Sequence, residues 1–167
     1  MKRIAILLIM VTSVLVVHAQ EGLHINELFK GAIIPKDEMM ETRVRGKMIA
    51  KYQLSYYHSL RFFASDEEEV QIKELMDKDH AAYRADTDGS DFSSIQSFES
   101  YSERNKTRKV KTYMIRLKPS KGKNRYLCYK STDHTKDKKK KEMTVIYMEG
   151  ALPSLDKLKS ILQDTTK

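Results

Sequence analysis

The sequence predicts an α+β fold: an antiparallel meander sheet of four to five strands, with an acidic helix from the N-terminal half and a C-terminal helix packed on it. Three observations point there. A capped, acidic, helix-periodic stretch starts at Ser65. From Ile95 onward the apolar period becomes two, in four successive segments joined by polar links. A final apolar stripe at helical spacing follows Pro153.

The elements follow in chain order. Leu23 to Phe29 is a short helix candidate stopped by Gly31 and Pro35. Met39 to Arg45 reads as a possible strand interrupted by Gly46, and Met48 to Tyr52 as one more helical turn. Leu54 to Phe63 fits a strand with Leu54, Tyr56, His58, Leu60 and Phe62 on one face. It also fits a helical stripe of Ile49, Tyr52, Tyr56, Leu60 and Phe63; its aromatic content favours the strand. Ser65 and Glu68 form a capping box, and Asp66 to Glu69 place negative charge on the positive end of the helix dipole. Ile72, Leu75, Met76, Asp79 and Tyr83 continue the helix to Tyr83 or Arg84, four of the five suited to a core, before the turn formers Ala85 to Asp91. Strands are then expected near Ile95–Glu103, Lys109–Lys118, Arg125–Ser131 and Met143–Glu149. The last is apolar on both faces and therefore belongs in the middle of the sheet. Pro119 to Lys123 is a turn, and Thr132 to Lys141 a long charged hairpin loop. Ser154 caps the closing helix, with Leu155, Leu158, Ile161 and Leu162 along one face.

The start of the chain has the composition of an address. Lys2 and Arg3 precede an uncharged, almost wholly aliphatic run from Ile4 to Val17, which ends in Val17-His18-Ala19. This order predicts a secretory signal over residues 1–19, cleaved between Ala19 and Gln20, and a single α+β domain over residues 20–167. The protein is then expected to be secreted or periplasmic. No second apolar run of that length follows, so no transmembrane segment is expected after cleavage. The single cysteine, Cys128, excludes an intramolecular disulfide framework. Within Tyr126-Leu127-Cys128-Tyr129 it reads as a small buried hydrophobe.

Charge is strongly segregated. The 167 residues hold 31 Lys+Arg and 23 Asp+Glu, a formal +8. Residues 104–141 alone hold 16 Lys+Arg against Asp133 and Asp137, whereas residues 20–103 have an excess of 7 acids. A block this basic attracts polyanions such as an anionic glycan or lipid. The candidate residues are Arg104, Lys106, Arg108, Lys109, Lys138, Lys139, Lys140 and Lys141, with Tyr113, Tyr126 and Tyr129 interleaved as a stacking surface requires. Against this, strands need their aromatics for a core, and the acidic first turn of the Ser65 helix is available to neutralise part of the block. Specific nucleic acid recognition is not expected.

Chemistry has few anchors. His24, His58, His80 and His134 show no metal-pair spacing. His58 is expected as a hydrogen-bonded core residue, His80 as a solvated residue at a helix end, and His134 as exposed. Asp86 to Asp91 misses the calcium-loop register, because Gly89 comes fourth rather than sixth. There is no nucleophile elbow and no phosphate-cradling glycine loop. No cofactor, metal or catalytic residue is assigned, and the chain is expected not to be an enzyme; an enzyme using Cys128 or His58 is the contrasting alternative.

Several stretches carry a resemblance: His18-Ala19-Gln20, Ile25-Asn26-Glu27-Leu28-Phe29, Met40 to Gly46, Leu54 to Leu60, and the helix reaching Asp77-Lys78-Asp79. Across residues 1–85 the chain resembles small secreted proteins of uncharacterised function from Bacteroidota-type bacteria. The resemblance implies a periplasmic or secreted location and brings no catalytic motif. The expected function is therefore binding, with another envelope component as partner, and the polyanion-binding module is the alternative.

Overall fold

The structure is a computed structural model and describes residues 20, 22–87, 94–102, 105–132 and 140–164. The expected signal segment, the loop residues Asp88 to Asp91, and His134 lie outside the described residues.

The chain enters through α1 (Asn26–Lys30), a single turn closed by Gly31 at φ 86°, the left-handed geometry that glycine adopts without a Cβ penalty. It starts later than Leu23 because Leu23 to Ile25 form the turn leading into it. Its N-terminal amides find their acceptor outside the segment. The buried Asp79 carboxylate takes the backbone N–H of His24 at 2.7 Å and of Ile25 at 2.9 Å. Strand β1 (Met40–Arg45), the short α2 (Lys47–Ala50) and β2 (Leu54–Ala64) follow. Helix α3 (Asp66–Asp86) begins on the expected capping box: the Ser65 hydroxyl accepts from Glu68 N–H at 3.3 Å, and the Glu68 carboxylate accepts from Ser65 N–H at 2.8 Å. Such a cap is worth about 1 kcal/mol. The helix runs slightly past Arg84. Strands β3 (Ile95–Ser102), β4 (Asn105–Ser120), β5 (Lys123–Thr132) and β6 (Lys141–Gly150) complete the sheet, and α4 (Leu155–Asp164) closes the chain.

The sheet has six strands in the order β1-β2-β6-β5-β4-β3, and every neighbouring pair is antiparallel. This corrects the expected four to five strands: Met40–Arg45 is a full edge strand, although its exposed side chains leave little core pattern to read. The meander is confined to β3 through β6. From the end of β2 the chain crosses through α3 to the far edge and returns strand by strand, so β6 lands beside β2 in the interior. That position explains why both faces of β6 are apolar: Met143, Val145 and Tyr147 are buried on one, Ile146 and Met148 on the other.

The two faces make two cores. On one, Tyr56, Leu60, Ile115, Leu127, Val145 and Tyr147 pack with Ile72, Leu75 and Met76 of α3 and with Ile25, Leu28 and Phe29. On the other, Met114, Tyr126, Cys128, Ile146 and Met148 pack with Leu152, Leu155 and Leu158. Each fully buried side chain of this size contributes about 1.5–3 kcal/mol. Leu54 was expected to share the face of Tyr56, but it packs in the α4-side core. A register shift between Leu54 and Tyr56 turns it over.

The β4–β5 hairpin turns on Lys121 and Gly122, both at positive φ (50° and 73°), the geometry that matches the twist of a two-residue hairpin. At the end of β6, Gly150 is required for space. A Cβ there would lie 2.2 Å from the Gln53 carbonyl oxygen, on the same backbone that receives Ala151 N–H at 2.9 Å.

Candidate functional site

A groove of about 800 Å³ opens between the first half of α3 and the sheet face formed by β3, β4 and β5. Spacings of three and four along α3 bring Asp66, Glu69, Val70, Lys73 and Asp77 to its wall. The opposite side is made by Ser97 and Glu99 of β3, Lys111 and Tyr113 of β4, Tyr129 and Ser131 of β5, and Lys141 of β6. Two of those strand positions are serines, whose small side chains leave the space between helix and sheet unfilled.

The floor is an ionic network centred on Glu69, which is buried. Its carboxylate accepts from the Tyr129 hydroxyl, from Lys73 Nζ at 2.7 Å and from Lys141 Nζ at 2.8 Å. Lys141 also reaches Asp66 at 2.7 Å, and Lys73 lies 5.4 Å from the centre of the Tyr129 ring. Burial alone would raise the Glu69 pKa, but the hydrogen bonds from Lys141, Lys73 and Tyr129 outweigh it and hold the carboxyl near 2. The same bonds to Asp66 and Glu69 push the Lys141 ammonium above its usual range. Glu69 and Lys141 therefore stay charged near neutral pH, and the network is internally satisfied.

The rim differs in character. Val70 is 54% exposed, an apolar side chain turned away from the core stripe of α3. Tyr113 is half-buried, and its hydroxyl donates to Asp77 at 3.4 Å. Lys111 is exposed and makes no ion pair with any described residue. Four carboxylates and three ammonium groups line the groove, so it is not a one-signed anion cleft.

The basic candidates are distributed unevenly. Arg104, Lys138 and Lys139 lie outside the described residues, and Lys106 and Arg108 are on β4. Lys109 pairs with Glu99 at 2.5 Å, Lys140 is exposed at the entry to β6, and Lys141 is half-buried in the groove floor. Further along the block, Lys118 pairs with Asp86 at 2.7 Å and Lys123 with Glu149 at 3.2 Å. Arg125 is buried and donates to the Lys118 carbonyl at 2.6 Å. Four lysines of the block, Lys109, Lys118, Lys123 and Lys141, are thus matched by carboxylates inside the fold. Tyr126 and Tyr129 are buried, which removes the expected stacking surface, since the two cores take these rings.

The histidines separate into distinct environments. His58 is buried between three polar partners: Gln20, whose amide donates to Nδ1 at 2.5 Å, Glu41, which accepts from Nε2 at 2.5 Å, and Arg43, whose Nε lies 3.3 Å from Nε2. Phe29 lies 4.5 Å from its ring. Burial lowers its pKa below the usual imidazole value despite the Glu41 contact. His80 corrects the expectation of a solvated helix end. His80 lies four residues after Met76 and three before Tyr83, so it falls on the inward face, buried, with Nε2 3.0 Å from the Ser94 hydroxyl. Asp79, the member of the stripe least suited to a core, is also inward, where it caps α1 and meets His24 Nδ1 at 2.9 Å. Cys128 is fully buried on the α4 side of the sheet, and burial pushes its thiol up to about 12. His58 is on the α3 side, so the sheet separates the two. Among the described residues no group of three or more His, Cys, Asp or Glu side chains is placed to hold a metal ion. No helix among them is long and apolar enough to cross a membrane.

Sequence reasoning placed Lys141 in a solvated loop and missed the groove. The usable signal was Val70, an apolar residue off the core stripe of an otherwise charged helix. The family assignment adds to this geometry. The model of a family of unknown function, DUF6108, matches residues 12–162. The chain belongs to DUF6108. The match to DUF6108 takes in all six strands and reaches Leu162 in α4, so the groove and both cores fall within it. Neither the curated proteins nor the solved structures contain a match to the chain.

Proposed function

We propose that this DUF6108 member is a non-catalytic binding protein that acts outside the cytoplasm, secreted or periplasmic, and that it receives another envelope component in the groove between α3 and β3–β5. One observation supports this reading above the rest: the groove joins an internally satisfied polar floor to the exposed Val70 and the half-buried Tyr113 on its rim. A site of this kind is preorganised, and a ligand gains apolar contact without having to break the Glu69 network. The location is supported by Lys2, Arg3, the aliphatic run Ile4 to Val17, and Ala19 before Gln20. A polyanion-binding module has less support, because Lys109, Lys118, Lys123 and Lys141 each face a carboxylate of the fold. An enzyme built on Cys128 or His58 also has less, since the thiol is buried and both His58 ring nitrogens are engaged.

The test uses residues 20–167 immobilised and exposed to detergent-solubilised envelope of the source cells. Val70→Asp is expected to lower recovery of the retained component at least tenfold, while Met48→Asp, an exposed site away from the groove, leaves it unchanged. Equal recovery by Val70→Asp and the unaltered protein would show that the groove is not the binding surface.

A further inference from the structure

We infer that a second cavity, between α2, the sheet and α4, binds a fatty carboxylate with a single acyl chain, the chain laid along β6 and the carboxylate on Lys130. This cavity is on the α4 side of the sheet, and its occupancy does not depend on the groove reading. It measures about 320 Å³. That is the lower end of the roughly 300–1,000 Å³ of small-ligand sites, room for one aliphatic chain rather than a lipid with two. The lining is aliphatic. Ile146 and Met148 of β6 form one wall, and Leu158, Ile161 and Leu162 of α4 the opposite one. The seating of α4 makes the space. Leu155 and Leu158 at its start are buried, whereas Ile161 and Leu162, a turn later, are half-buried.

Strand pairing gives the cavity its length. Lys130 stands opposite Thr144 and Tyr57 opposite Met148, so the two mark points four residues apart along β6, about 13 Å. Ile49 and Tyr52 line the cavity with Tyr57 at the end away from Lys130. The space is therefore elongated, apolar along its length and cationic at one end. A ligand that fills it has an apolar tail and one anionic end.

Charge fixes which end is which. Among the described residues that line the cavity, Lys130 alone is charged. It is half-buried and makes no ion pair with a described residue. Glu142 is on the same face of the sheet, two residues from Thr144, but Arg61 engages it. The Lys130 stem lies along apolar surface and leaves its ammonium group for an anion from outside the fold. The acyl chain then supplies affinity, and Lys130 supplies orientation.

The experiment titrates residues 20–167 by calorimetry with straight-chain carboxylates from hexanoate to tetradecanoate, each below the concentration at which it forms micelles. Affinity is expected to rise roughly fourfold per methylene while the chain fills the cavity, and then to level off. Lys130→Met is expected to weaken decanoate at least tenfold and to leave decanol within twofold. Ile161→Trp, which fills the cavity from the α4 side, is expected to make affinity level off at a shorter chain. The chain-length series and the decanol comparison do not use that variant, so they stand even if Ile161→Trp unfolds. No binding by any of the carboxylates overturns the inference. An equal loss of decanoate and decanol in Lys130→Met overturns the place of the carboxylate. Affinity that climbs through tetradecanoate without levelling, in both the unaltered protein and Ile161→Trp, overturns the cavity as the site. A lysophosphatidate that binds more tightly than the carboxylate of the same chain length assigns the cavity to a phospholipid-derived chain and overturns the fatty carboxylate.

Discussion

Glu69 concentrates the chemistry of the groove in one side chain. In sequence it is the fourth acid of a helix start, where a solvated carboxylate near the positive end of the dipole is the ordinary expectation. In the fold it is buried and takes three donors, from Tyr129, Lys73 and Lys141. Lys73 was within reach of sequence reasoning, since it lies four residues along the same helix. Tyr129 and Lys141 were not, because they arrive from strands 60 and 72 positions away. The consequence is measurable. With the carboxyl depressed from 4.5 to about 2, the unfolded chain binds the extra proton between those values. The stabilisation is therefore fully present above about pH 4.5 and is lost as the pH falls through about 2. Glu69→Gln is expected to cost about 2 kcal/mol at pH 7, the scale of a charged hydrogen bond lost from a buried site. It is also expected to flatten the dependence of the urea midpoint on pH between 4.5 and 2; an unchanged slope would remove Glu69 as its source.

At the scale of elements, α1 shows how a segment too short to stand alone is held. A five-residue helix has no intrinsic stability in water, and Ile25 provides it with no side-chain cap. Asp79, on α3, provides one from 54 and 55 residues away. Asp79→Ala is expected to strand the amides of His24 and Ile25 and lower the unfolding free energy by about 1–3 kcal/mol in urea titration. Hydrogen exchange of Leu28 and Phe29 should rise more than that of Val145 and Ile146 in β6, whereas a uniform rise would mean that α1 is not separately tethered. The strands and the α3 start were legible because period two and a capping box are local signals. The turn at Lys121-Gly122 was legible for the same reason. His80 was misjudged although its spacing from Met76 and Tyr83 places it on the buried stripe, because a polar residue near a helix end is ordinarily solvated. Leu54 was misjudged because a single register shift inverts a face, and nothing in the alternation of β2 announces that shift.

For the whole molecule, part of the separation between an acidic first part and a basic later part is matched internally. Lys118 with Asp86, Lys109 with Glu99, and Lys141 with Asp66 join acids before residue 104 to cations after it. Net charge alone gave no sign of this, because pairing depends on topology. Cys128 reports on the integrity of the same assembly from its interior position on β5. A thiol reagent is expected to label it only through opening of the sheet, at a rate that rises with urea and gives the same free energy as unfolding followed by circular dichroism. Rapid labelling without denaturant would place the thiol near the surface. The strand order has a temporal side as well. Until residues 141–150 are available, β1 and β2 form one piece and β3, β4 and β5 another, with no strand between them. A chain made from its N-terminus thus waits for nearly its whole length before the two pieces join, and β6 acts as the keystone set last.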